Sequence, residues 1–297
     1  MKKSTIQILF VVIIICISFS AIFVKLSDAP SSVMVMYRMF FACTFLSPIC
    51  FKYRKSLQQM TRKEWFAIVT AGIFLAAHFG LWFESLNHTT VASSTLILAM
   101  QPAVALIGGL IFFKEKVNMR LFAAMFIAMI GIVIVSGGNV ELGRDGLYGN
   151  FLSFLSVISV VCCLLIGQRN VRSISHWIYS FLVFFIAGLT MLIFNVINQL
   201  PLAAYSAHDW LIFVLLAVFP SAAHIIFNML LKYVNTTTVS MSVLGEPVGA
   251  SILAFFILDE RIALAEIVGG IFIIAGIFYF LRVQNDANAN ADTVKEN

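Results

Sequence analysis

A carboxylate, a guanidinium and two imidazoles stand inside otherwise apolar stretches of this sequence: Glu246, Arg38, His78 and His224. A charge at the centre of an apolar phase costs about 2.5–3.5 kcal/mol on insertion scales, so each of these groups needs a partner or a task. Glu246 lies near the middle of the run 237–258 and is followed by Pro247. Proline removes a backbone donor and kinks a helix. An acid at such a break could hold an amino group or take up a proton; the alternative is a neutral side chain that locks helices together. Gly245 and Gly249 flank the pair with the spacing that permits close helix approach. Ser242 lies one turn earlier on the same face. Arg38 could hold a carboxylate, snorkel to the nearer surface, or form a structural ion pair with Asp28 or Glu84. His78 and Trp82 are four residues apart and share a helix face, which Ser85 continues; His224 and Asn228 repeat that spacing. Trp82 could stack on an aromatic or cationic substrate. No carboxylate or cysteine lies one turn from either histidine, so neither a metal nor a cofactor is expected.

The elements that must position these groups are membrane-crossing helices. The chain has 297 residues, 61% hydrophobic and 11% charged, with a mean hydropathy of +0.99. A soluble domain is about 45–50% apolar and about 25% charged. This excludes an ordinary soluble enzyme, a disordered chain and a nucleic-acid binder, the net charge of +5 notwithstanding. A bilayer crossing takes about 20 apolar residues. Ten runs qualify: 6–24, 32–51, 65–86, 91–113, 121–136, 149–168, 177–196, 210–231, 237–258 and 263–281. The expectation is an all-α integral membrane protein with ten transmembrane helices. The first run follows Lys2 and Lys3 but lacks a convincing small-residue cleavage site, so it reads as a span and not as a signal peptide. With the N-terminus inside, most of the 19 lysines and arginines are cytoplasmic, and the outer loops keep Lys25, Arg144 and Arg261. Both termini are then cytoplasmic, in a multi-pass protein of the plasma (inner) membrane. Residues 285–297 read as a disordered cytoplasmic tail. The cysteines all lie in apolar runs and read as small buried residues.

The sequence also repeats itself. Residues 91–116 resemble 237–261. A shift of 145 superimposes Gln101 on Glu246, Pro102 on Pro247, Glu115 on Glu260, Lys116 on Arg261 and Gly131 on Gly276. A one-residue loop adjustment brings His78 onto His224. The halves 1–140 and 147–284 then hold five spans each, and an odd number makes them inverted with respect to the membrane. Glu115 and Lys116, like Glu260 and Arg261, sit at helix ends and are expected to form gating or structural ion pairs. Small residues at Ala124, Ala128, Ala265 and Gly269 suit interfaces between helices or between two protomers, which admits a homodimer.

No GxxxxGK[ST] motif occurs, so movement of a substrate would be passive or ion-coupled. The HExxH and GxSxG patterns of hydrolases are also missing. The repeated spans, the Pro102–Glu115 and Pro247–Glu260 spacings, Arg38 and the Glu246–Pro247 pair resemble the drug/metabolite transporter superfamily, EamA-type branch, over nearly the whole chain. That resemblance implies a ten-helix bundle with cytoplasmic ends that exports small metabolites or amino acids through a central cavity. It implies a wall drawn from the first, third, fourth, sixth, eighth and ninth spans. The expected activity is therefore secondary transport by alternating access, not enzymatic. The exported substrate is a small metabolite, amino acid or drug-like compound, with protons as candidate partners and the lipid bilayer as surroundings. Glu246, Gln101, His78, Trp82, His224, Asn228, Ser242 and Arg38 are the expected substrate-binding residues. The alternatives are an uptake carrier of the same fold and, in another class, an intramembrane lipid-modifying enzyme.

Overall fold

The computed structural model describes residues 3–53, 57, 59–115, 118–135, 143–258 and 263–296. All regular structure among them is helical. In chain order the helices are α1 (Lys3–Lys25), α2 (Ser31–Lys52), α3 (Arg62–His88), α4 (Val91–Leu98), α5 (Gln101–Phe113), α6 (Met119–Val135), α7 (Arg144–Asn170), α8 (His176–Ile197), α9 (Ala207–Leu230), α10 (Thr236–Ser240), α11 (Glu246–Leu258) and α12 (Leu264–Glu296). A 3-10 turn, Met241–Gly245, joins α10 to α11. Eight stretches of the described residues are long and apolar enough to cross a membrane, and Met119–Val135 is a shorter apolar helix.

Three differences from the expected spans have local causes. The fourth and ninth runs are each broken where proline follows Gln101 and Glu246. Pro102 cannot bond the carbonyl of Leu98, nor Pro247 that of Val243. The chain tightens instead: Met100 N–H bonds the Ile97 carbonyl, and Glu246 N–H the Val243 carbonyl. The final helix runs on to Glu296, into the segment 285–297 that reads as a tail; that segment holds no glycine or proline to end a helix.

The 145-residue shift governs helix boundaries as well as side chains. Ser31 and His176, Arg62 and Ala207, Val91 and Thr236, Gln101 and Glu246, and Met119 and Leu264 open helices in matched pairs. Their caps match too. Thr61 and Glu64 form a capping box on α3, and Ser206 and Asp209 form its counterpart on α9. Each acid is also tied to a loop serine, Glu64 by Ser173 at 2.8 Å and Asp209 by Ser27 at 2.7 Å. The histidine alignment is corrected in one respect. Both α3 and α9 begin in register, and so do α4 and α10, so no loop residue is inserted: at the 145-residue shift His78 meets Ala223, and His224 stands one position further along α9.

Packing follows the same two-fold relation. α3 lies along α7 as α9 lies along α1, and α3 meets α8 as α9 meets α2. α2 packs on α8, and α6 on α12. The α6–α12 seam is made of small residues. A Cβ on Gly131 would stand 2.5 Å from the Gly269 carbonyl oxygen, and one on Gly276 would stand 2.6 Å from the Ala128 nitrogen. Ala124 and Ala128 are fully buried in this seam, so within the chain they already serve a helix–helix interface. One core spans α1, α2, α3, α7, α8 and α9, and a second joins α6, α12 and the broken segments.

Candidate functional site

The two broken helices meet beside a cavity of about 40 Å³. Its wall includes Arg38, His78, Trp82, Gln101, His224 and Glu246, contributed by α2, α3, α5, α9 and α11. Leu98 and Val243, whose carbonyls the two prolines cannot bond, are also on the wall. The helix breaks therefore lie at the same place as the side chains. A space of this size takes a few waters and no metabolite. A substrate would enter only with the wall drawn apart.

Arg38 is fully buried and does not snorkel. Its Nε donates to the Ser221 hydroxyl at 3.2 Å, and its guanidinium lies 3.9 Å from the centre of the Phe79 ring. Both terminal nitrogens, Nη1 and Nη2, lack a hydrogen-bond partner, and so does Oε1 of Glu246. Among the described residues no ion pair joins Arg38 to any acid. Glu84, one of its expected partners, bonds Asn87 and His88 instead, and Asp28, the other, is exposed. Buried groups of opposite charge with free hydrogen-bonding capacity are costly to the fold. Here both line one cavity.

Ser221 explains how Arg38 is held. Pro220 leaves the Leu216 carbonyl without its usual donor, and the Ser221 hydroxyl donates to it at 3.3 Å. The same hydroxyl oxygen accepts from Arg38. His78 is fixed differently, with Nδ1 at 2.8 Å from the Ser156 hydroxyl and 3.1 Å from the Ser156 carbonyl. Its ring is parallel to that of Trp82, with centres 6.3 Å apart, and lies 6.5 Å from His224. The indole N–H of Trp82 is buried without a partner. Gln101 donates to Ser240 at 3.2 Å, which ties one broken segment to the other.

Two expected residues are not on this wall. Asn228 donates to Ser180 at 3.0 Å within the α8–α9 packing, and Ser242 donates to the Val239 carbonyl at 2.7 Å. Both hydroxyl and amide are spent on structure. Phe79, Pro220 and Ser221 were not singled out by residue chemistry, and Ser156 reads from the sequence as part of a small-residue packing face with Ser153, Ser159 and Cys163. The one signal in the sequence was Pro220 in the middle of an apolar helix.

Glu115 is held by two amides. It accepts hydrogen bonds from Gln168 at 2.9 Å and Asn235 at 2.7 Å, and pairs with no described cation. Lys114 adopts a left-handed conformation that ends α5, and turns Glu115 back toward Gly109. Gln168 in turn accepts from the Thr236 N–H and hydroxyl, both at 2.6 Å. This amide latch joins α5, α7 and α10. Lys116, Glu260 and Arg261 lie outside the described residues. At the opposite ends of α3, α4 and α7, Ser85, Ser94 and Ser153 form a closed ring of hydroxyls, each 2.9–3.2 Å from the next. Among the described residues no group of three His, Cys, Asp or Glu side chains could hold a metal.

A family model described as EamA-like transporter family matches residues 4–137 and 147–282. The uncharacterized transporter YxxF of Bacillus subtilis is 23% identical over 98% of this chain and 94% of its own length. The WAT1-related protein At4g01440 of Arabidopsis thaliana is 25% identical over 84% of this chain and 77% of its own. One crystal structure superposes with a TM-score of 0.79 at 14% identity, covering 94% of this chain and 96% of that one, and supports the fold alone.

Proposed function

Because the chain belongs to the EamA-like transporter family, we propose that it is a secondary transporter exporting a small zwitterionic or aromatic metabolite by alternating access. A multi-pass membrane transporter is the premise; substrate, direction and coupling are the proposal. The observation that carries it is the cavity at the two helix breaks, where Arg38 and Glu246 present unpartnered polar atoms. Arg38 would take a carboxylate by its free fork. Glu246 would take an ammonium group, or a proton in the substrate's absence. His78, Trp82, Gln101 and His224 would surround the substrate's body.

The remaining architecture of the proposal has ten spans. Eight are the long apolar stretches, the ninth is the α10–α11 pair and the tenth is the short α6. Residues 1–140 and 147–284 form the two five-span halves, inverted in the plasma membrane, with both termini cytoplasmic. The amide latch at Glu115 and the hydroxyl ring at Ser85 lie toward opposite ends of α4–α5, where alternate closure is needed.

The test is an untargeted comparison of media around cells producing the protein, the Glu246→Gln variant, or neither. One unmodified metabolite that accumulates outside only with the intact protein supports export. Depletion from the medium instead identifies an uptake carrier. A chemically altered lipid in the membranes points to the enzyme reading. Normal export by Glu246→Gln at every pH removes both roles given to that residue.

A further inference from the structure

A second concave site lies away from the central cavity, between the N-terminal end of α3 and the C-terminal end of α7. It is a groove of about 480 Å³ lined by Lys63, Glu64, Phe66, Thr70, Ile166 and Arg169, among others. Its polar groups are mostly spoken for. Glu64 accepts from the Thr61 N–H at 2.8 Å, the Thr61 hydroxyl at 2.9 Å and the Ser173 hydroxyl at 2.8 Å. The Thr70 hydroxyl donates to the Phe66 carbonyl at 2.8 Å. Lys63 and Arg169 are exposed and form no ion pair with a described residue. Phe66 is 75% exposed and Trp65, beside it, 40%. The groove thus has a cationic rim and an apolar body at the level where aromatic residues mark the edge of a bilayer.

The repeat supplies a control within the same molecule. The fold builds this corner again between α9 and α1, where His208 takes the place of Lys63 and Val24 that of Arg169. His208 bonds the Leu26 carbonyl at 2.9 Å, and Val24 is buried. The scaffold therefore does not need two cations at this corner. We propose that the α3–α7 groove binds an anionic phospholipid. Its phosphate lies between Lys63 and Arg169, and its acyl chains run along Phe66 and Ile166. Basic pockets between helices recognise phosphate headgroups in this way. The assignment to the cytoplasmic leaflet rests on the orientation proposed above; the binding itself does not.

Native mass spectrometry of the purified protein tests this, with phosphatidylglycerol, phosphatidylcholine and inorganic phosphate as separate probes. The expected result is retention of phosphatidylglycerol well above phosphatidylcholine, reduced at least five-fold by K63Q/R169Q. The R62Q/R172Q variant removes the same charge just outside the groove and is expected to keep the lipid. Lys63→Gln alone gives an intermediate loss and serves if the double variant fails to fold. Equal loss in the two double variants would reduce the effect to diffuse surface charge and overturn the proposal. So would equal retention of the two lipids, or displacement of phosphatidylglycerol by millimolar phosphate. None of these readouts depends on transport, so they stand apart from the export test.

Discussion

Arg38 is placed by a proline it never touches. Pro220 frees the Leu216 carbonyl, Ser221 satisfies it, and the same hydroxyl receives Nε of Arg38. Phe79 supports the guanidinium from beneath, so only the two terminal nitrogens are left for a ligand. Ser221→Ala deletes a hydrogen bond to a charged group, a loss of about 1.5–3 kcal/mol. The apparent affinity in a concentration-dependent export assay should fall about 10–100-fold. Pro220→Ala restores an N–H for Leu216, so P220A/S221A distinguishes two roles. Recovery in the double variant would mean that Ser221 only caps the carbonyl; continued impairment is expected, because Arg38 still lacks its anchor. Arg38 and Glu246 are a charge-opposed pair without direct contact. Removing one leaves the other buried and uncompensated, which in close pairs costs about 3–5 kcal/mol. Arg38→Met should therefore lower the melting temperature in detergent. R38M/E246Q should lower it by less than the two single changes added together, and strict additivity would show that the two charges are independent.

At the scale of elements, close backbone approach and terminal latches do most of the work. Gly276 sits where a Cβ would stand 2.6 Å from the Ala128 nitrogen and 2.8 Å from the Ala124 carbonyl oxygen. Backbone atoms cannot rotate away as a side chain can, so Gly276→Leu should separate α6 from α12. Overpacking of this kind destabilises by about 1–3 kcal/mol. The check is thermal unfolding, with Gly143→Ala as a control, since nothing lies within 4 Å of a Cβ there. The latch at Glu115 invites a different test. Asn235 donates to Glu115 through Nδ2 while its Oδ1 caps α10 by accepting from Thr238 N–H at 3.0 Å. Asn235→Asp keeps the cap but sets carboxylate against carboxylate. In a background without native cysteines and carrying Ser20→Cys on the cavity wall, this change should raise labelling by a membrane-impermeant maleimide from one face. Unchanged labelling from both faces would mean that the latch does not close the path.

The whole molecule is two copies of one plan whose charges differ. Glu64 and Asp209, Thr61 and Ser206, and the breaks at Gln101 and Glu246 repeat at a fixed shift. Lys63 and Arg169 do not. A repeat with an odd number of spans inverts its second copy, so reporters at equivalent positions should fall on opposite sides. Green fluorescent protein fused after residue 118 should fluoresce, and alkaline phosphatase fused there should be inactive. The two reporters should exchange behaviour when fused after residue 263. The same behaviour at both sites would remove the inverted arrangement.

Membrane residence, the repeat and its register were legible in the sequence. They rest on composition, on runs long enough to cross a bilayer and on matched residues such as Pro102 and Pro247, and these signals need no knowledge of contacts. Six of the eight expected binding residues also share one cavity wall; for Arg38, Glu246, His78 and His224 the reason is that a charge or imidazole within an apolar run is held away from lipid and gathers with others of its kind. Asn228 and Ser242 were beyond that logic. A small polar side chain can meet its need on a neighbouring helix or on its own backbone, and only the packing shows which. The partners of Glu115 were hidden for the same reason. Gln168 and Asn235 are remote in sequence, and the turn at Lys114 brings the carboxylate to their amides. What tertiary structure alone decided was the pairing: which helix break faces which, that Ser221 holds Arg38, and that the two charges line one cavity without touching. Sequence fixes which groups require a partner, but the choice among partners is made by distances between helices far apart in the chain.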